Sequence, residues 1–303
     1  MKKLLFAFCL ILSFVAQGQM LNDTPFDATI HHPKYARGKG PAVLFDAGHF
    51  NFIVHLGLAN PLIDLATADG YRVTVDSMKF TKSYLSYYKM IVIFPAMPFK
   101  FGSKKQVTDE ITFTPVELNA LHDWVNEGGA LLMFSEHAPI DKSVTPLFNT
   151  FGIQLSIGIV VDSVYHDTSS KAANKETLLM FTRSNGLLNS GHPITKGERA
   201  GEKINKIVTY GGGGLTGAGY VNIFKLSSSA TIKKYSGSEP SGTADSQALA
   251  GNFGKGKVVA LGDCNGFTAM YIMQGSNKLS AGMQVHDYDW KQFAMNTFHW
   301  LSK

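Results

Sequence analysis

The chain has 303 residues, with 28 Lys+Arg against 23 Asp+Glu, a formal net charge of +5, 45% hydrophobic and 17% charged residues. That composition is globular and excludes a disordered polymer, a collagen-like repeat and a coiled coil. The basic residues are scattered and form no stripe, so nucleic acid is not an expected partner.

The first residues set the compartment. Lys2 and Lys3 precede an unbroken apolar run over residues 4–16, followed by Ala16-Gln17-Gly18-Gln19. A positive start, a short apolar stretch and small residues at its end predict a signal peptide over 1–19 and export to the periplasm or beyond. Loss of Lys2 and Lys3 would leave a charge of roughly +3. The run is too short to cross a bilayer and no later stretch is long enough, so no stable membrane anchor is expected. Cys9 falls in the leader, leaving Cys264 without a partner for an internal disulfide. An exported chain without disulfides fits a bacterial periplasm or surface.

Residues 20–41 are polar and marked by Gly and Pro, and read as a loose N-terminal arm. Residues 42–303 read as one α/β domain. The apolar runs at 42–45, 90–94 and 130–134 have the character of strands buried on both faces, and 71–75 is a further strand. Residues 60–68 carry helical spacing, and 80–88 is a short helical candidate. The best-marked helix follows Thr114, with Pro115 at its first position and Glu117 completing a capping box. Leu118, Leu121, Trp124 and Val125 share its apolar face, and Gly128-Gly129 stop it. Strands alternating with helices predict a mainly parallel sheet.

Beyond residue 155 the pattern changes to short β-like pieces at 159–161, 178–182, 204–210, 221–226 and 248–253. They lie between Gly- and Ser-rich loops. The serine-rich stretch 227–247 reads as a surface hairpin or loop. A last apolar strand spans 257–262, and a helix over 290–301 follows Asp289.

Ligands of such sheets bind beyond the carboxyl ends of the strands. Three loops there carry polar groups: Asp46, Gly48, His49, Asn51 and His55; Ser135, Glu136 and His137; and Asp263, Cys264 and Asn265. Two chemistries fit them. Carboxylates and histidines can act as general acid and base on a sugar or ester bond, with Glu136, Asp263 and His137 as catalytic candidates and Asp46, His49, Asn51 and Asn265 as substrate-binding ones. Alternatively His49, His137 and Asp263 can hold a divalent metal that activates water.

Two motifs read differently from their spelling. Gly262-Asp263-Cys264-Asn265-Gly266 spells G-x-C-x-G, but no helix is assured after it, so Cys264 reads as a partly buried free thiol. Gly212, Gly214 and Gly217 satisfy G-x-G-x-x-G. The strand-like stretch that follows replaces the helix a dinucleotide site requires, so a flexible turn is expected and no nucleotide cofactor.

Several segments, in order, resemble the DUF4350-type bacterial proteins, whose fold is similar to class I glutamine amidotransferases. They are Asp46-Ala47-Gly48-His49-Phe50-Asn51, Ala68-Asp69-Gly70-Tyr71-Arg72-Val73, the run from Phe113-Thr114-Pro115 to Leu132, Ser135-Glu136-His137-Ala138-Pro139, His192-Pro193-Ile194 and Gly254-Lys255-Gly256-Lys257-Val258-Val259. The resemblance covers about residues 42–302. It implies a three-layer α/β sandwich with a mainly parallel, flavodoxin-like sheet and β-rich insertions in the second half. It also implies association with carbohydrate-degrading enzymes, but no assigned reaction. The amidotransferase nucleophile would follow the strand 130–134, where this chain has Ser135-Glu136-His137, so glutamine hydrolysis is not expected. In the first loop Ala47 and Ile53 replace the acidic residue and the histidine that are common in the family. The resulting expectation is an exported, carbohydrate-associated protein that takes a small-molecule or sugar ligand. It is either a hydrolase or a non-catalytic binding or accessory module.

Overall fold

A computed structural model of the chain describes residues 19–22, 26–100, 103, 111–172, 174–274 and 277–303. Apart from Gln19, the expected signal peptide lies outside the described residues. Among them no helix is long and apolar enough to cross a membrane.

The fold is mixed α/β. Its main sheet has nine strands among the described residues: β1 (Ala42–Asp46), β2 (Arg72–Asp76), β3 (Met90–Ile93), β4 (Ala130–Phe134), β5 (Ile153–Leu155), β6 (Leu215–Gly217), β7 (Val221–Lys225), β8 (Ser246–Phe253) and β9 (Gly256–Leu261). The spatial order is β2-β1-β3-β4-β9-β8-β6-β5, with β7 also paired to β8. The first five of these are parallel to one another. From β9 outward the pairings become antiparallel.

The apolar runs are strands because both of their faces are buried. Side chains alternate between the faces, so Val43, Phe45, Val92 and Leu132 join one hydrophobic cluster, while Leu44, Ile91, Ile93, Leu131 and Met133 join the other. The first cluster is completed by α1 (Asn60–Ala68) and by α4 (Trp290–Leu301), through Leu62, Leu65, Phe293 and Phe298. The second is completed by α2 (Pro115–Asn126) and α3 (Ile140–Thr150), through Leu121, Trp124, Val144 and Phe148. The capping box read from Thr114 and Glu117 is formed.

Smaller β pieces flank this sheet. Ile159–Asp162 pairs with Ala230–Lys233, and Met180–Thr182 pairs with Lys206–Val208. Ala269–Gln274 lies between Gln19–Asn22 and Asn277–Gly282.

Three expectations need correction. The arm over 20–41 is not loose: Gln19–Asn22 is a strand, and Phe26, Ile30 and Tyr35 pack on the core. The arm is fastened because Asp69, wholly buried where α1 ends, needs donors, and the Lys34 amide supplies one at 2.6 Å. The short helix within 80–88 shrinks to Lys82–Leu85. The serine-rich stretch includes the strand Ala230–Lys233, docked where Ser227 and Ser229 donate to Asp162.

Candidate functional site

The three polar loops do open at the carboxyl ends of β1, β4 and β9. Strand order then divides them. β4 and β9 are neighbours, whereas β3 separates β1 from β4, a step of roughly 10 Å at ~4.8 Å per strand. The candidate residues therefore form two clusters.

The first is built on His49. Its Nδ1 lies 3.0 Å from Asp46 Oδ2, and its Nε2 lies 3.3 Å from Glu117 Oε1. Phe80 and Phe113 pack on the ring, at 4.9 and 4.3 Å between centroids. Burial alone would strip the imidazole of its proton. The hydrogen bond and charge of Asp46, then of Glu117, outweigh that and hold the pKa above 6.5. Glu117 serves twice, since its Oε2 also accepts from the Thr114 amide at 3.0 Å and the Thr114 hydroxyl at 2.7 Å. Asn51 caps the turn Phe52–His55 and donates to the Phe94 carbonyl at 3.1 Å. Asp46, His49 and Asn51 are all buried, so this cluster is a brace between the end of β1 and the start of α2. His55 is exposed and takes no part.

The second cluster joins the loops after β4 and β9, which the Ser135 amide ties together through the Leu261 carbonyl at 2.8 Å. Glu136 is 5% exposed. Its Oε2 accepts from Asn265 Nδ2 at 3.2 Å, whereas its buried Oε1 has no hydrogen-bond partner. Burial, then the charge of Asp263, pushes its pKa well above 4.5 and favours the neutral acid. His137 is half-buried, with Nδ1 2.9 Å from the Ala138 carbonyl. A carbonyl can only accept, so Nδ1 carries the proton, and in the neutral ring Nε2 is the bare nitrogen. Burial holds its pKa below 6.5. Nε2 lies 3.8 Å from Glu136 Oε2, and the Tyr235 ring packs 4.2 Å from the imidazole.

Asp263 has a different part from the one its sequence position suggested. It is 1% exposed, and its two oxygens accept from the Tyr210 amide and from the Asn265 amide. It is set to position the loop and to raise the Glu136 pKa, and its burial keeps it off the cavity wall that Glu136 and His137 line. Cys264 is wholly buried, and burial with the charges of Glu136 and Asp263 pushes its thiol well above 9.0. A thiol held protonated is no nucleophile. Ser135 is buried as well, its hydroxyl 3.2 Å from the Glu136 carbonyl oxygen.

Glu136, His137 and Asn265 line a cavity of about 710 Å³. Its walls include Asp167, Tyr210, Tyr235, Lys278 and Tyr288. None of these five was legible as a site residue, because loops of the second half bring them in and no motif marks them. The proposed metal set does not assemble. His49 belongs to the first cluster and His137 and Asp263 to the second. Among the described residues no group of three or more His, Cys, Asp or Glu side chains is disposed to hold a metal ion.

The G-x-G-x-x-G stretch is packed, not flexible. Gly212 and Gly213 are buried against the end of β9, with the Gly213 amide 2.8 Å from the Gly262 carbonyl. A Cβ on Gly212 would overlap that carbonyl, and one on Gly262 would overlap the Gly213 carbonyl. Two chain segments approach so closely that only glycine fits.

No protein-family model and no curated protein sequence matches the chain. Solved structures do. The mmIFT52 N-terminal domain matches with a TM-score of 0.57 at 17% identity, over 86% of this chain and 97% of that one. A ThuA-like protein from Parabacteroides merdae matches with a TM-score of 0.45 at 12% identity, over 88% and 91%. The cytoplasmic protein STM3548 from Salmonella typhimurium matches with a TM-score of 0.45 at 13% identity, over 86% and 98%. The structural neighbours thus include ThuA-like proteins, whose fold is glutamine amidotransferase-like. At such identity the likeness to the mmIFT52 domain is one of fold alone.

Proposed function

We propose that the chain is an exported, carbohydrate-associated hydrolase related to the DUF4350-type proteins, built on a three-layer, flavodoxin-like α/β sandwich. One observation carries the hydrolase reading. A buried carboxylic acid with a partnerless oxygen, Glu136, stands 3.8 Å from the bare Nε2 of His137 on the wall of a ligand-sized cavity.

In this reading Glu136 is the general acid and His137 the general base. A water loses a proton to His137 Nε2 as its oxygen bonds to the electrophilic carbon. The bond from that carbon to the leaving oxygen breaks, and that oxygen takes the proton of Glu136. The imidazolium and the carboxylate left behind are next to each other, so one proton transfer restores both. Asp263 tunes Glu136, and Asn265 orients it. Asp46, His49 and Asn51 act from a distance, by holding the first loop. The buried Ser135 in the nucleophile position supports no glutamine hydrolysis.

A second reading, a non-catalytic binding module, is favoured by the burial of Ser135, Cys264 and Asp263, which keeps each of these three from acting as a nucleophile. Turnover of p-nitrophenyl glycosides and p-nitrophenyl esters by wild type, Glu136→Gln and His137→Ala separates the two. The hydrolase reading expects turnover that each variant lowers about 10²–10⁴-fold. Turnover unchanged in Glu136→Gln would remove the acid role, and no turnover by wild type would favour the binding module.

A further inference from the structure

The main sheet ends on β2, and among the described residues no strand pairs with its outer edge. The Arg72 amide donates to the Pro41 carbonyl at 3.1 Å, and the Asp76 carbonyl accepts from the Ala47 amide at 2.9 Å. Arg72 and Asp76 therefore turn their main chain toward β1, and by strand alternation Val73 and Val75 turn theirs outward. An open edge is a template for another strand, and proteins commonly blunt it with lysine, proline or a bulge. β2 reads Arg-Val-Thr-Val-Asp, with neither lysine nor proline, and its register with β1 runs unbroken from Arg72 opposite Ala42 to Asp76 opposite Asp46. Val75 is 47% exposed, and Arg72 and Thr74 are exposed as well.

The order of those five residues is self-complementary. Set antiparallel to itself about Thr74, the strand brings Arg72 opposite Asp76, Val73 opposite Val75, and Thr74 opposite its own copy. Both charges are free to pair. Arg72 donates Nε to the Gly40 carbonyl at 3.1 Å, and Asp76 accepts from the Ser77 amide and the Tyr84 hydroxyl, each at 2.7 Å. Among the described residues neither takes part in an ion pair. The Tyr84 hydrogen bond holds the Asp76 carboxyl below 3.8, so it is ionised at neutral pH.

We propose that two copies of this chain pair through β2, antiparallel across a twofold axis at Thr74, and so join their main sheets into one. Val73 of each copy exchanges main-chain hydrogen bonds with the partner's Val75, and Arg72 of each copy meets the partner's Asp76. Charge selects this arrangement. A parallel pairing would set arginine against arginine, and a slip of two residues would leave the ions unpaired. Five residues make a small interface, of the class below about 1,200 Å², so the association is reversible and concentration-dependent. β1 and β3 lie between this edge and β4, so the inference stands apart from the Glu136 cavity and from any turnover there.

The test is sedimentation velocity on the full mature chain over a dilution series, which should show monomer and dimer in equilibrium. Val75→Lys should give monomer without lowering the melting temperature, because the Val75 side chain is exposed and its amide points away from β1. Arg72→Asp and Asp76→Arg each set like charges opposite one another at both ends of the interface, and should each weaken self-association about tenfold or more. Mixed in equal amounts, these two variants should associate with each other, because the acids of one copy then face the arginines of the other. A wild type that is monomeric at every concentration, a dimer that Val75→Lys leaves intact, or a mixture no more associated than its separate components would each overturn the proposal. Where a charge variant folds poorly, wild type and Val75→Lys decide it alone.

Discussion

His49 Nε2 lies 3.3 Å from Glu117 Oε1, so a residue three positions past the first core strand is bonded to the capping-box glutamate of α2. The other ring nitrogen is committed to Asp46. His49→Ala would leave two buried carboxylates facing an empty space. Breaking a buried pair from one side costs about 3–5 kcal/mol. Urea unfolding at pH 6 should show a loss of that order, and a loss under 1 kcal/mol would mean that the network contributes little.

The same histidine predicts a pH trend. Its folded pKa stands above the unfolded 6.5. The stabilisation from its charged form is therefore complete below pH 6.5 and is lost as pH rises through the folded value. The difference in stability between wild type and His49→Ala should shrink on going from pH 6 to pH 9. A difference that grows with pH would contradict the charged, doubly bridged imidazole.

Glu136 predicts the opposite kind of cost. Its folded pKa is raised well above 4.5, so between 4.5 and the folded value the unfolded chain has released a proton that the folded chain keeps. Wild-type stability contributed by this site falls as pH rises through that window. Glu136→Gln keeps the shape and removes the titration. It should be more stable than wild type at pH 8, by about 1 kcal/mol or more, and indistinguishable below pH 4. Equal stability at both pH values would show a Glu136 that ionises as freely in the folded chain as in the unfolded one.

If the cavity turns a substrate over, its pH profile should be bell-shaped. His137, lowered from 6.5 by burial, must be neutral to accept a proton, which sets the limb that falls toward acid. Glu136, raised from 4.5, must be protonated to donate, which sets the limb that falls toward base. The alkaline limb should vanish in Glu136→Gln along with most of the rate. An alkaline limb unchanged in a still-active Glu136→Gln would assign it to another group.

The sequence made the inner sheet readable, because strands buried on both faces cannot hide their apolar runs. β1, β3 and β4 emerged within a residue or two of their observed ends. The cap of α2 was readable for the same local reason. Helix α3 was not, since Pro146 lies inside it and no side-chain cap announces its start. The pairing of sites was legible only in part. Glu136 and Asp263 follow strands that prove to be neighbours, but strand order is a long-range property, and the separation of His49 from them depends on β3 lying between. The walls of the cavity come from residues such as Asp167 and Tyr288, 121 positions apart, joined by a hydrogen bond that no periodicity foretells.

Gly212 supplies the last test, because its role is steric and close to the candidate site. A Cβ there would overlap the Gly262 carbonyl and crowd Asp263 Cβ. Backbone cannot rotate away as a side chain does, so Gly212→Ala must push the 211–214 loop off the end of β9. That would loosen the Tyr210 amide from Asp263, since Tyr210 lies only two residues before Gly212. Overpacking of this kind costs about 1–3 kcal/mol. Gly219→Ala, at a φ of +86° with nothing near its Cβ, is the control, and should cost about 1 kcal/mol from backbone strain alone. In urea unfolding Gly212→Ala should therefore lose more stability than Gly219→Ala. If both alanine variants cost the same, the close approach of Gly212 to the end of β9 is not what holds the 211–214 loop in place.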